Sequence, residues 1–271
     1  MTEPLTPTAY PAVNEALREF HASLQAILGS CLRGMYLVGS LAVGDFDLAM
    51  SDLDIIVVTD GALPEDRIAA LREFHTRFGA SDSLWAERLE AVYIPQADLR
   101  SSATASAYYP QVERDRPFFV EPLEPGWSVQ RYTLREHGVV IAGPEPHDLL
   151  DPVDPDEMRR DGAIIANTWL DQAEHDPTWL DWARPRPYFA FVVATLCRLL
   201  YTLETGGVAS KPAAIRWAQE TLDGQWADFI ARSWVARNDN GETPQEDMGA
   251  LVAFIRYTVE RYDAKGFRSS Q

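Results

Sequence analysis

Cysteine is nearly absent from this chain: Cys31 and Cys197 lie far apart, with no second cysteine or histidine near either at ligand spacing, so neither a zinc site nor a disulfide framework is expected. Positive charge is scarce as well. Lys and Arg number 24 against 41 Asp and Glu, a formal net charge of -17, and they are scattered rather than gathered in a basic stripe. A polyanion would be repelled, so nucleic acid is not an expected partner, whereas a small polycation would be attracted. Residues 1 to 8, MTEPLTPT, lack the basic start and apolar core of a signal peptide. The longest apolar stretch, Tyr188 to Leu203, is interrupted by Arg198, so no membrane span is expected and the cytoplasm is the expected location. With 46% hydrophobic and 11% aromatic residues, the 271-residue chain can pack one large or two modest domains.

Against that background one stretch carries most of the chemistry: Leu37 to Val58, LVGSLAVGDFDLAMSDLDIIVV. An apolar run from Met35 to Val38 ends at Gly39, whose missing Cβ lets the backbone approach a phosphate, and Ser40 adds a hydroxyl at the start of a short helix. After eleven intervening residues comes Asp52-Leu53-Asp54. A strand from Asp52 to Val58 would put both aspartates on one face and Leu53 and Ile55 on the other. Because it continues as Ile55-Ile56-Val57-Val58, apolar on both faces, its leading carboxylates stand at a low-dielectric edge where ionised pairs need cations. Magnesium, which takes hard oxygen ligands and is shared between carboxylates and substrate phosphates, meets that need.

Glu90 is an unusual charge in the apolar frame of RLEAVYIP, where Leu89, Ala91 and Tyr93 alternate with Glu90, Val92 and Ile94 as on the two faces of a strand, and is a further candidate site carboxylate. Glu87 competes for the role, but it belongs to the polar lead-in SDSLWAER.

Helix and strand signals alternate in the first half: a helix at about Ala12 to Leu28, the Met35 strand, a short helix after Ser40, the Asp52 strand, a helix at about Glu65 to Phe78, and the Glu90 strand. Residues 95 to 126, rich in Pro, Ser and Tyr, read as loops, after which Val129 to His137 and the short apolar run Gly138 to Ala142 follow. The proline- and acid-rich segment 143 to 157 is expected to bury little and to mark a boundary. Beyond it the pattern is helical, at about Asp156 to His175, Pro187 to Thr205, Lys211 to Thr221, Gln225 to Arg237 and Glu246 to Lys265. The expectation is an α/β domain over residues 1–154 followed by an all-α bundle over residues 155–271.

The pattern hG-S-x11-D-h-D-h, with h apolar, resembles the signature of the DNA polymerase β nucleotidyltransferase superfamily. Two later stretches, ATLCRLLYTLETGGVASKPAAIRWAQETL at residues 194 to 222 and REHGVVIAGP at 135 to 144, are similar to the streptomycin and spectinomycin adenylyltransferases among the aminoglycoside nucleotidyltransferases. The resemblance implies a mixed-sheet nucleotidyltransferase domain that binds ATP and two magnesium ions, a helical domain that closes over the nucleotide, and a small cationic antibiotic in the cleft, whose hydroxyl receives AMP as pyrophosphate leaves. Carried over by position, Ser40, Ser51, Asp52 and Asp54 fall on phosphate and metal positions with Gly39 at the turn, Glu90 on the catalytic base and a metal position, and Arg198 and Lys211 on phosphate-contacting positions. Lys211 is a cation near a helix N-terminus, disfavoured by the dipole unless an anion is bound there.

The acceptor position departs from the pattern. Streptomycin-modifying members place an acid five residues after the Trp that corresponds to Trp179, and here that position is Arg184, with Asp181 and Asp176 nearby. Trp179 and Asp181 are the expected acceptor contacts: either the loop realigns to use Asp181, or an Arg facing a guanidinium antibiotic makes streptomycin a poor substrate and a smaller acceptor such as spectinomycin the preferred one. Two other readings share the fold: AMP transfer to another protein's side chain, and an ATP-sensing or partner-binding role, against which the intact Asp-x-Asp argues. A monomer is expected.

Overall fold

The computed structural model describes residues 6–48, 51–85, 87–100, 107–114 and 116–268. The chain divides between Pro152 and Val153 into two compact units. The expected class is what is found: a mixed sheet with helices, then a helical region.

In the first unit α1 (Pro11–Leu28) precedes β1 (Leu32–Leu37), the one-turn α2 (Gly39–Ala42), β2 (Leu53–Thr59), α3 (Glu65–Gly79) and β3 (Leu89–Pro95). Then come the one-turn α4 (Gln96–Leu99), β4 (Tyr109–Glu113), β5 (Arg116–Glu121), α5 (Trp127–His137), β6 (Val139–Ala142) and the short α6 (Pro146–Leu149). Among the described residues the six strands form one sheet in the order β5-β4-β3-β2-β1-β6. Only β2 and β3 run parallel, joined by α3 as crossover, while the other pairs are antiparallel.

Alternation explains the two faces of the sheet. Val13, Leu17, Phe20, Leu24 and Leu28 recur at helical spacing on α1 and pack with Met35, Leu37, Leu53, Ile55, Val57, Leu89, Ala91 and Tyr93. The opposite face gathers Tyr36, Val38, Ile56, Val58 and Ile94 with Leu134 of α5 and Leu149 and Leu150. Asp54 shares parity with Ile56 and Val58, and Glu90 with Ile94, so both carboxylates head the second face.

A buried polar pair crosses the first face: the His75 ring nitrogen Nε2 lies 2.6 Å from Tyr93 Oη, and burial pushes the imidazole pKa down to about 4. Because this base titrates lower in the folded than in the unfolded chain, its contribution is complete above about pH 6.5 and is lost as the pH falls toward 4. A shift of that size corresponds to roughly 3 kcal/mol. We expect His75→Gln, which keeps a polar partner for Tyr93 but does not titrate, to flatten the fall in stability between pH 6.5 and 4 in urea unfolding. An equally steep fall in the variant would assign the acid limb to other groups.

Three expectations need correction. The strand expected from Asp52 starts at Leu53, where the ladder begins with Leu53 N–H donating to Arg88 O at 2.7 Å, so Asp52 stands just ahead of it. Residues 95 to 126 are not all loop, since they hold α4 and the β4–β5 hairpin; Pro110 and Pro117 read as breakers in sequence, yet Pro117 falls in the edge strand β5 and Pro110 near the start of β4, the strand beside it. The segment 143 to 157 also buries more than expected, through Pro146, Leu149, Leu150 and Val153.

The second unit consists of α7 (Pro155–His175), α8 (Pro177–Ala183), α9 (Arg186–Thr205), α10 (Lys211–Thr221), α11 (Gly224–Val235) and α12 (Gln245–Ala264). Asp154, Asp176 and Ser210 cap α7, α8 and α10 through their side chains. The sequence reading missed α8, which at seven residues is too short to show a period. Among the described residues α9 is long and apolar enough to cross a membrane, but 61% of its apolar window is buried inside the unit, where it is the central core helix. Cys197 is buried on it, and both cysteines are free thiols.

Candidate active site

The site is built on the head of β2. Val38 N–H donates to Asp54 O at 2.9 Å, which ties the end of β1 to β2 and fixes where the chain turns. Gly39 takes φ +59°, and a Cβ there would run into the Asp54 carboxylate, so glycine is required both for the backbone and for the space. Ser40 follows, half-buried, in the single turn of α2, whose first amides have no side-chain cap. Ser51 closes its own turn: its N–H donates to Asp47 O at 2.8 Å, and its Oγ accepts from Asp47 N–H at 2.9 Å.

The parallel register sets Asp54 directly beside Glu90. Burial first, then the charges of Asp54, Asp52 and Glu113, push the Glu90 carboxyl up to about 8, opposed only by a hydrogen bond from the Arg114 backbone N–H. Glu113 is likewise raised, chiefly by burial, with Glu124 and Glu121 adding to it and Arg116 opposing. Asp54, Glu90, Glu113, Glu124, Trp127 and Gln130 all line an open cleft of about 260 Å³ on this face of the sheet. Glu87, the competing acid, is exposed in the turn before β3.

Asp52 is engaged by two arginines that the sequence reading did not single out. Its Oδ1 lies 3.3 Å from Arg114 Nη1 and 4.0 Å from Arg88 Nε. Arg88 could have been noticed as a charge two residues before Glu90 in a strand lead-in, whereas Arg114 lies in the hairpin that reads as loop. Among the described residues no three His, Cys, Asp or Glu side chains stand together closely enough to hold a metal ion by themselves. An open edge of carboxylates is the arrangement magnesium uses when substrate phosphates complete its shell.

The remaining expected residues belong to the second unit. Arg198 Nε donates to Ala209 O at 3.1 Å, two residues before Lys211, and Lys211 Nζ lies 5.1 Å from the centre of the Phe191 ring on α9. The structure thus brings Arg198 and Lys211 to the same α9–α10 connection. Trp179 is 8% exposed, packed between Trp169 and Trp182 at centroid distances of 6.2 and 5.9 Å, while Trp182 is 41% exposed. Asp181 is exposed, with Arg184 Nε 3.8 Å from its Oδ1, so the Arg184 charge is partly offset.

Comparison with known proteins places the chain beside the adenylyltransferases that modify aminoglycosides. Residues 148–261 match the family model described as aminoglycoside adenylyltransferase, C-terminal domain. An aminoglycoside (3'')(9) adenylyltransferase of Klebsiella pneumoniae is 23% identical, over 93% of this chain and 97% of that protein. A spectinomycin 9-adenylyltransferase of Staphylococcus aureus is 24% identical, over 86% and 90%. The fold is similar to that of the spectinomycin adenyltransferase AAD(9) from Enterococcus faecialis, solved with ATP and spectinomycin, at a TM-score of 0.69 and 18% identity over 92% of this chain and 98% of that one. The expected resemblance to the aminoglycoside nucleotidyltransferases, and with it the expectation of an enzyme, is borne out.

Proposed function

We propose that this chain, similar to the aminoglycoside adenylyltransferases, transfers AMP from ATP to a hydroxyl of a small cationic antibiotic of the spectinomycin or streptomycin type and releases pyrophosphate. The observation that carries the reading is the parallel pairing of Asp54 with Glu90, with Asp52 immediately ahead of the strand, at the edge of an acidic cleft. A buried carboxyl raised to about 8 by burial and, after it, by the charges of Asp54, Asp52 and Glu113 fits a divalent cation, and the all-oxygen donor set suits magnesium. Asp52, Asp54 and Glu90 would hold it. When bound, magnesium supplies charge neutralisation on the phosphates and lowers the pKa of a nearby hydroxyl.

The chain's own residues do the rest. Glu90 takes the proton of the acceptor hydroxyl as the new bond to the α-phosphorus forms. Gly39 and Ser40 offer uncapped amides and a hydroxyl to the triphosphate, Ser51 stands beside Asp52, and Arg198 and Lys211 supply cations to the phosphates. Glu113 and Glu124 add negative charge to the cleft and would draw in a cationic acceptor. Trp179 and Asp181 are the proposed acceptor contacts in the helical unit. The cytoplasm supplies ATP and is the proposed location.

The test is pyrophosphate release from ATP and magnesium with spectinomycin, streptomycin and other aminoglycosides supplied singly, and Asp52→Asn as the blank. Release is expected with at least one of them and none in the blank. If ATP binds but no antibiotic elicits release, the acceptor is of another class; if ATP does not bind, the transferase reading is wrong.

A further inference from the structure

Arg88 is 8% exposed and makes several bonds around the segment that leads into Asp52. Nη1 donates to Leu48 O at 3.1 Å, Nη2 donates to Ser51 O, and the guanidinium lies 4.8 Å from the centre of the Trp85 ring. Its own backbone O accepts from Leu53 N–H. One residue therefore holds the carbonyls four residues and one residue before Asp52 and the amide just after it. Its Nε, buried with no hydrogen-bond acceptor, lies 4.0 Å from Asp52 Oδ1. Withdrawing this guanidinium would strip the Leu48 and Ser51 carbonyls of their donor, so it is held in place.

Arg114 differs. Its side chain is 49% exposed, and Nη1 lies 3.3 Å from the same Asp52 Oδ1. Half in water, it can leave at little cost, because exposed ion pairs are weak and screened. Its backbone N–H meanwhile bonds the Glu90 carboxylate, so the side chain can move without releasing Glu90. A divalent cation on Asp52 would compete with this guanidinium for the same oxygen.

We propose that Asp52 sits between two arginines of opposite function: Arg88 is the positioning residue that fixes its carboxylate, and Arg114 is a displaceable counter-ion that holds the carboxylate in the metal-free protein and yields it to the cation. This rests on the metal-binding reading above. The consequence is a site poorly loaded by free metal and better loaded by a metal–nucleotide complex, whose phosphates add ligands and repay the displacement.

Binding of Mn2+, followed by the electron paramagnetic resonance of the free ion, tests this without turnover, with and without a non-hydrolysable ATP analogue. Arg114→Gln is expected to bind Mn2+ alone about fivefold more tightly, the range an exposed ion pair spans. Arg88→Gln is expected to bind it more weakly, with partial recovery in Arg88→Lys. General damage to the fold weakens binding in every variant and cannot produce opposite signs. Should Arg88→Gln fail to fold, Arg88→Lys, checked by circular dichroism, carries that arm. Unchanged or weaker binding in Arg114→Gln, or unchanged binding in a folded Arg88 variant, overturns the proposal alone. No Mn2+ binding by the unaltered protein, with or without the analogue, overturns the metal-binding reading and this proposal with it.

Discussion

Glu90→Gln is expected to lower the rate of AMP transfer by about 10² to 10⁴, the usual cost of losing a general base, while ATP binding is largely kept. The substitution is nearly isosteric, so the β3 ladder and its pairing with Asp54 should persist. A second, independent effect is expected in the metal-free protein. Burial and the neighbouring acids raise this carboxyl from its ordinary 4.5 to about 8. A raised carboxyl contributes its full stability below the unfolded-state pKa and loses it as the pH rises through the folded one, so the wild type weakens across that window and the Gln variant does not. Melting temperatures without metal or nucleotide should be similar near pH 4 and higher for Glu90→Gln at pH 8.5. Turnover equal to wild type would remove Glu90 from the mechanism; matched melting curves at both pH values would mean that Glu90 is better solvated, or its acidic neighbours farther away, in solution than in the structure.

Gly39→Ala is the second large effect expected, and it needs no assumption about the acceptor. The left-handed backbone alone disfavours an L-residue by about 1–2 kcal/mol. More important, the added methyl would meet the Asp54 carboxylate itself, so either the turn or Asp54 must shift. A displacement near 1 Å at a site of this kind costs on the order of 10² in rate. We therefore expect a folded protein, with a modest fall in melting temperature, whose transfer rate drops at least 10²-fold and whose nucleotide affinity falls as well. Ala42→Gly, at the far end of the same one-turn helix, serves as the control with little change expected. Full activity in Gly39→Ala would show that Asp54 tolerates displacement, and that its place beside Glu90 is not required.

Much of this architecture could be read from the chain. The alternation in LDIIVVT and LEAVYIP placed Asp54 and Glu90 each on a strand face, and the apolar periods of α1, α7, α9, α10 and α12 marked those helices to within a residue or two. These are local properties, fixed by the period of the backbone and by caps such as Asp154 and Ser210. The β4–β5 hairpin was not legible, because its strands are short and carry Pro110 and Pro117. Missing it also hid Arg114, which sits where that hairpin turns. Arg88 was hidden for another reason: its place two residues before Glu90 is visible, but a single sequence does not tell a buried clamp from a solvated arginine.

The sequence by itself therefore determined which residues could take part: a glycine that must turn, two aspartates at fixed spacing, and a glutamate inside an apolar strand. Only the tertiary structure decided which of them meet. The parallel pairing of β2 with β3 joins residues 36 positions apart, and its register is set by burying Leu53, Ile55 and Val57 with Leu89, Ala91 and Tyr93 on one face. That packing leaves Asp54 beside Glu90 on the other face, and a slip of one residue would have turned the glutamate away. The meeting of Asp52 with Arg88 and Arg114 depends in the same way on contacts distant along the chain, which no local pattern encodes.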